Sequence, residues 1–155
     1  MFSVIDTNTI YSSLLSKGKA FQVFKLNFLL KKFEFIAPEF IFFEIGKNFD
    51  DIVLRSKLSK EELSEVFSFI KERVDTIPFE NFNTYVLEAK TLAPHSKDIQ
   101  YFALSLAFNK CPIWSDEKAF SKQNKINIFS TDKMLEKLYR EQDERDTEQG
   151  STKKE

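Results

Sequence analysis

The sequence contains a single cysteine, Cys111, among its 155 residues. One cysteine cannot form an intrachain disulfide or a thiolate metal cluster, and beside Pro112 it most simply fills a core or turn position. No apolar run approaches the ~20 residues that a membrane-spanning helix requires. The start of the sequence also lacks the basic region and the small-residue cleavage site of a signal peptide. These absences exclude a disulfide scaffold and a membrane span, and we expect a cytoplasmic protein.

The sequence also lacks a strong excess of either charge, since 23 basic and 24 acidic residues leave a net charge of -1. Phosphate affinity comes mostly from Lys and Arg, so this balance at first argues against a nucleic-acid-binding protein. Residues 140–155, however, contain six of the acids and four of the bases, which leaves about +1 on residues 1–139. Acids that gather around a divalent metal ion would make the remaining surface more positive still. Net charge therefore does not decide the function.

The composition, with 42% hydrophobic and 30% charged residues, is that of one globular domain. Apolar residues disappear beyond Tyr139. We therefore expect a domain over residues 1–139 and a frayed or disordered charged tail over residues 140–155.

Short apolar segments alternate with longer amphipathic ones, which is typical of α/β proteins. Ser59, with Glu62 three residues later, predicts the start of a helix by a capping box. Pro38 is expected in the first turn of a helix. We predict strands over residues 2–5, 33–37, 74–78, 112–114 and 127–129, and helices over residues 9–15, 17–32, 39–48, 51–57, 81–93 and 99–108, with a last helix capped by residues 130–132.

An acid directly follows the first predicted strand. The apolar run ends at Asp6, and Thr7 and Asn8 open the segment that continues as a helix. In an open parallel sheet, ligands bind outside the carboxyl ends of the strands, so an acid at this position faces a site. The alternative is that Asp6 or Thr7 only caps the helix.

Glu44 is the second acid in an informative position. Phe40 and Ile41 precede it by one helical turn, so it does not lie on an ordinary polar stripe. A carboxylate in an apolar setting is costly unless it is paired or bound to a metal. The alternative is a glutamate at the edge of a buried helix with its head in water.

Three more acids lie at the ends of apolar segments. Asp98 precedes residues 99–108, a helix that is apolar nearly all round and should be buried, although a capping role explains Asp98 equally well. Ser115, Asp116 and Glu117 follow a predicted strand and repeat the opening pattern of strand, hydroxyl and acid. This recurrence is more informative than any single acid.

In their order along the chain, these segments resemble the PIN domain family of ribonucleases. The resemblance covers residues 1–138. It implies a three-layer α/β/α sandwich with a central parallel sheet, whose acids gather at the carboxyl edge and hold Mg²⁺ or Mn²⁺. By position it assigns Asp6, Glu44 and Asp98 as the first three acids. The matching text is VIDTN at 4–8, APEFIFFE at 37–44, KDIQYFALSL at 97–106, IWSDEKAF at 113–120 and IFST at 128–131.

The fourth acid departs from the family pattern of Ser or Thr, any residue, Asp, and then Lys or Arg with a nearby Phe. Aligned on Ser115, Lys118 and Phe120, the expected Asp falls on Glu117, and Asp116 stands one place earlier. Either Glu117 replaces this aspartate or Asp116 takes its place, and we interpret the two acids as contributing together.

The resemblance also implies roles for the neighbouring residues. Thr7, Asn8 and Ser115 would orient ligand carboxylates or waters, and Lys118 would contact the RNA backbone. Carboxylates suit Mg²⁺, which keeps several waters and activates one of them for hydrolysis.

The expected function is a metal-dependent ribonuclease that hydrolyses RNA, which in this family acts either as a VapC-type toxin neutralised by an antitoxin or in RNA maturation, commonly as a homodimer. The alternative is a non-catalytic PIN-like module that binds RNA or a protein through a degenerate site. An aspartyl phosphatase would require a second Asp two residues after Asp6, where this chain has Asn8.

Overall fold

The computed structural model describes residues 1–15 and 18–152, and in them five short parallel strands form one sheet. The strands are β1 (Phe2–Ile5), β2 (Glu34–Pro38), β3 (Val74–Ile77), β4 (Ile113–Trp114) and β5 (Ile128–Phe129). Their order is β3-β2-β1-β4-β5, and each neighbouring pair is parallel. Helices cover the sheet, so the predicted three-layer α/β/α sandwich with a central parallel sheet is confirmed.

The helices in the described residues pack in groups around the sheet. Helix α7 contacts β1, β2 and β4, whereas α2 packs with α1 and α8. The helices are α1 (Thr7–Leu15), α2 (Lys19–Leu30), α3 (Ile41–Lys47), α4 (Phe49–Arg55), α5 (Lys60–Lys71), α6 (Val86–Lys90), α7 (Ile99–Ala107) and α8 (Thr131–Thr152). None of these helices is both long enough and apolar enough to cross a lipid bilayer.

The centre of the sheet determines where the acids lie. Val4 and Ile5 of β1 are fully buried, as expected for a strand covered on both faces. Ile5 pairs with Trp114 of β4, so Asp6 and Ser115 follow neighbouring strands at the same edge. The chain runs outward from β1 in both directions, which makes the β1–β4 boundary the switch point where such sheets bind ligands.

An aromatic cluster stabilises this boundary. The Trp114 ring is fully buried and lies 5.1 Å from Phe24 of α2 and 5.4 Å from Phe35 of β2, centroid to centroid. Its Nε1 donates a hydrogen bond of 3.0 Å to Oγ1 of Thr131, which satisfies the polar atom of the ring. The strand that precedes Ser115 is therefore held firmly in place.

Two of the predicted helices differ from the structure, one in its first residue and one in its continuity. Pro38 belongs to β2, where it pairs with Ile77, and α3 begins only at Ile41. The helix predicted over residues 81–93 is broken into 3₁₀ turns at Phe79–Asn81 and Asn83–Tyr85 before α6. The break occurs at Phe82, whose side chain is fully buried and whose backbone has left the helical region.

Residues after Tyr139 continue α8 as a helix through Thr152, whereas the sequence predicted a frayed or disordered tail. Contacts with α2 and the segment after it hold its first part. Glu141 pairs with Lys32 at 3.0 Å, and Arg145 donates to the Leu30 carbonyl oxygen at 2.7 Å. Lys17 of the second predicted helix and residues 153–155 of the predicted tail lie outside the described residues.

Candidate active site

Asp6 lies directly after β1 and is 2% exposed. Its Oδ1 accepts a hydrogen bond from the Thr9 backbone N–H at 2.9 Å, and its Oδ2 accepts one from Ser115 Oγ at 2.7 Å. The capping alternative is thus correct for Asp6. Capping does not use the whole capacity of the Asp6 carboxylate to accept bonds, because each carboxylate oxygen carries two lone pairs. Asp6 is held in one orientation and can still bind a cation.

Asp98 differs from Asp6 because its Oδ2 accepts no hydrogen bond from the described residues. It occupies the N-cap position of α7, yet its side chain caps nothing there. Asp98 is 4% exposed, and its Oδ2 is buried without a hydrogen-bond partner among the described residues. An unpaired buried carboxylate oxygen is costly, and in native proteins it calls for an explanation such as a bound ion. The capping alternative is therefore wrong for Asp98.

A pocket of about 200 Å³ brings three of the expected acids together. Asp6, Glu44 and Asp98 line it, as do Thr7 and Asn8 of the first turn of α1. Lys97 supplies a cation at its rim. Three acids that are distant in the sequence thus surround a single opening at the edge of the sheet.

Glu44 is exposed in the structure, so the apolar setting that the sequence suggested is wrong. The buried side of α3 carries Ile41, Phe42 and Ile45, whereas Phe43 and Glu44 both face outward. Glu44 corresponds to the alternative of a glutamate at the edge of a helix. Its side chain nevertheless borders the pocket.

Asp116 and Glu117 line the same depression next to the pocket, but their side chains have different neighbours. The Glu117 backbone N–H donates to Ser115 Oγ at 3.1 Å, and the charge of its carboxylate acts on both Asp6 and Asp98. Asp116 instead accepts hydrogen bonds from Thr131, at 2.7 Å from the backbone N–H and at 2.6 Å from Oγ1. The charge of Glu117, and not that of Asp116, is among the largest influences on the two buried acids. A joint contribution of Asp116 and Glu117 stays a prediction.

Burial dominates the electrostatics of the pocket. Burial raises the pKa of Asp6, while hydrogen bonds from Thr9 and Ser115 lower it and the charge of Glu117 raises it further. Burial also raises the pKa of Asp98, with Glu117 acting in the same direction and Lys97 and His95 opposing it. Acids whose pKa is raised by burial and by a neighbouring carboxylate form a site that a cation would stabilise.

Tyr101 is a residue of the pocket that the sequence interpretation did not identify. Its hydroxyl accepts a hydrogen bond of 3.3 Å from the Thr7 backbone N–H and bonds Thr7 Oγ1. Burial raises its pKa to about 12, so the phenol stays protonated at neutral pH. The available signal was a phenol within an apolar helix, about one turn after Asp98. Tyr101 holds Thr7, and through it the segment beside Asp6.

The remaining expected residues lie around this edge. Ser115 is buried and contacts Asp6, Asn8 is exposed at the pocket rim, and Lys118 is exposed. Lys118 begins a 3₁₀ turn, Lys118–Lys122, and lines a neighbouring depression together with Ser115 and Glu117.

The donor set suits a hard divalent cation. All the acids offer oxygen ligands, which Mg²⁺ and Mn²⁺ prefer, and the unpaired Asp98 Oδ2 lies at the same pocket as Asp6. Within residues 1–15 and 18–152, no three Asp, Glu, His or Cys side chains are already arranged around one ion position. A third ligand would therefore come from the longer side chain of Glu44 or Glu117.

Comparisons with known proteins agree with this architecture. A family model described as PIN domain matches residues 4–145. The chain is similar to one in the crystal structure of VapBC2 from Rickettsia felis bound to a DNA fragment from their promoter, with a TM-score of 0.60 and 17% identity over 84% of this chain and 98% of that one. At this identity the likeness shows a shared fold. No curated protein matches the chain.

Proposed function

This chain belongs to the PIN domain family, and from that premise we propose that it is a divalent-metal-dependent ribonuclease that hydrolyses RNA phosphodiester bonds. The substrate is RNA, and the catalytic residues are Asp6, Glu44, Asp98 and Glu117.

The buried, unpaired Oδ2 of Asp98 is the observation that supports this proposal most strongly. This oxygen lies at the same pocket as Asp6, at the switch point of a parallel sheet. No hydrogen bond from the described residues compensates for its burial. A divalent cation would satisfy this oxygen.

A bound Mg²⁺ or Mn²⁺ ion would supply an activated water and stabilise the charge that develops on the phosphate. The chain's own residues position the acids for that ion. Ser115 and Thr9 hold the two oxygens of Asp6, and Tyr101 holds Thr7. Asp98 and Glu117 complete the negative edge, and no protein nucleophile is needed.

Cations around the pocket would contact the RNA backbone. Lys97 lines the pocket itself, and Lys118 lies on the adjoining depression. Both side chains are exposed and can neutralise phosphates on either side of the cleaved bond. Their contribution offsets the repulsion between the strand and the acidic edge.

We further propose that the protein acts as the toxin of a toxin–antitoxin pair, in the cytoplasm and as a homodimer. The likeness to the solved VapBC2 structure supports an antitoxin partner for this chain. A small DNA-binding protein encoded beside this chain would be that partner.

A second candidate function is a non-catalytic module that binds RNA or a protein. It is favoured by one observation, namely that no three acids in the described part of the chain are already arranged around an ion. Under this alternative, divalent metal would change neither stability nor RNA binding.

Cleavage of a labelled single-stranded RNA in the presence of Mn²⁺ tests the proposal. Wild type should cut the RNA and stop cutting when EDTA is added. Asp6→Asn should lose on the order of 100-fold or more in rate, because a metal ligand supplies several kcal/mol to the transition state. Asp75→Asn, a change at an exposed acid of β3, is the matched control and should cut normally. If wild type and Asp6→Asn behave alike at saturating Mn²⁺ and neither cuts the RNA, the non-catalytic module is favoured.

A further inference from the structure

A second pocket, of about 400 Å³, opens beside the candidate active site between α1 and α4. We call it the α1–α4 pocket. Asn8 and Tyr11 line both cavities, so the two are neighbours on either side of these residues. A polymer chain that lies in the active site can therefore reach the mouth of the α1–α4 pocket. Its volume is within the range of pockets that hold small organic groups, roughly 300 to 1,000 Å³.

The Tyr11 ring is fixed at the junction of the two cavities. It is half-buried, and its hydroxyl accepts a hydrogen bond of 3.1 Å from Asn48 Nδ2. The same Asn48 amide donates to the Glu44 carbonyl oxygen at 3.2 Å, which ties the ring to α3. Aromatic side chains held in this way are the usual surfaces on which unpaired RNA bases stack.

The charges of the α1–α4 pocket cancel one another. Asp51 and Arg55 both line it, and neither forms an ion pair with another described residue. A pocket with one charge of each sign has little net attraction for phosphate. Its carboxylate and guanidinium, together with the amide of Asn8, instead offer donors and acceptors that match the uncharged edge of a nucleobase.

We propose that the α1–α4 pocket binds one unpaired base of a single-stranded RNA, next to the phosphodiester bond that the active site cuts. The base stacks on Tyr11, and Asp51 and Arg55 hydrogen-bond to its edge and select its identity. The proposal rests on the proposed ribonuclease function, because the RNA strand must lie across Asp6 and Asp98 for its neighbouring base to reach this pocket.

Selection from a mixed-sequence single-stranded RNA library tests this base pocket without requiring cleavage. The library is bound to Asp98→Asn, and to the double variants that add Tyr11→Leu or Tyr11→Phe. Leu keeps much of the apolar volume without an aromatic face, whereas Phe keeps the ring. RNA retained by Asp98→Asn and by the Phe variant should be enriched in one base at one position. The Leu variant should lose this enrichment and bind the selected RNA about 5- to 100-fold more weakly.

Arg55 provides an independent test of base selection. In the Asp98→Asn background, Arg55→Ala should relax or change the enriched base while total RNA binding falls only slightly. Lys57→Ala removes an exposed cation two residues away and should leave the preference unchanged. Thermal melts of each variant confirm that it is folded.

The outcomes separate this inference from the proposed function. If wild type cuts RNA but no base is enriched, or if Tyr11→Leu keeps the enrichment, the base pocket is refuted and the cavity is better explained as a protein contact. If a base is enriched and lost with Tyr11→Leu while wild type cuts nothing, base recognition stands and the ribonuclease function fails. Failure of Asp98→Asn to retain any RNA overturns the base pocket.

Discussion

At the scale of single residues, the two buried aspartates differ in the hydrogen bonds that their carboxylates accept, although both are almost fully buried. Asp6 receives hydrogen bonds from Thr9 and Ser115, whereas Asp98 Oδ2 receives none from the described residues. Both groups have a raised pKa, with burial as the largest cause. Without a bound ion, the burial of Asp98 Oδ2 therefore lowers the stability of the folded protein, and a cation at this oxygen would remove that loss.

Asp98→Asn should make the metal-free protein more stable at neutral pH. Because burial raises the pKa of Asp98, the folded protein keeps this proton at a higher pH than the unfolded chain, in which aspartate titrates near 3.8. The contribution of Asp98 to stability is therefore greatest below that value, falls as pH rises through the raised folded pKa, and remains low above it. In EDTA at about pH 7 the variant should be about 1 kcal/mol more stable than wild type. Urea denaturation at several pH values measures this difference.

Two measurements check this prediction, namely the pH dependence of the stability difference and the change in stability when Mn²⁺ is added. The advantage of Asp98→Asn should shrink as pH falls from the raised folded pKa of Asp98 toward 3.8, and it should be smallest below that value. Mn²⁺ should stabilise wild type by mass action and the variant much less. Asp75→Asn, at an exposed acid, should show neither effect. A variant that is less stable than wild type at neutral pH in EDTA would show that Asp98 has a stabilising partner.

At the scale of elements, the segment after β4 explains why neighbouring acids have different roles. Glu117 has extended backbone angles, with φ of -77° and ψ of 112°. Side chains that follow one another in extended chain point to opposite sides. Glu117 therefore acts on the pocket, while Asp116 turns to Thr131 and caps the start of α8.

Asp116→Ala and Glu117→Gln should affect different properties. The first should change the stability of the protein, and the second should change its affinity for Mn²⁺. Loss of both hydrogen bonds to Thr131 should destabilise the Asp116→Ala protein by about 1–2 kcal/mol, with Mn²⁺ affinity unchanged. Glu117→Gln should leave stability within about 0.5 kcal/mol and weaken Mn²⁺ binding. Chemical denaturation and isothermal titration calorimetry measure the two quantities. Weakened Mn²⁺ binding in Asp116→Ala would support the sequence expectation that both acids are ligands.

The sequence predicted some of the strands, helices and side-chain positions and not others. Short apolar segments located all five strands, because a buried strand has a clear pattern, and Asp6 and Ser115 directly follow two of them. The direction of Asp116 was not predictable, since it depends on backbone angles in an irregular turn. The break at Phe82 was missed because its burial is a tertiary effect. The helix after Tyr139 was missed because its contacts with Lys32 and Leu30 are distant in the sequence.

At the scale of the whole molecule, the strand order brings the acids together. Asp6 follows the central strand, and Ser115 and Glu117 follow its neighbour β4. Asp98 begins α7, which packs on these strands, and Glu44 comes from α3 beyond β2. Residues from four segments thus meet at one edge because the sheet is parallel and reverses its winding between β1 and β4.

The location of Mn²⁺ in a crystal of the wild-type protein tests this account most directly. Anomalous scattering should show a peak in contact with the carboxylates of Asp6 and Asp98, with Glu44 or Glu117 turned toward it. In crystals of Asp98→Asn the peak should weaken or disappear. Crystals soaked with Mn²⁺ that show no peak at this pocket, or a peak only beside Asp116 and Asp132, would contradict the proposed metal site.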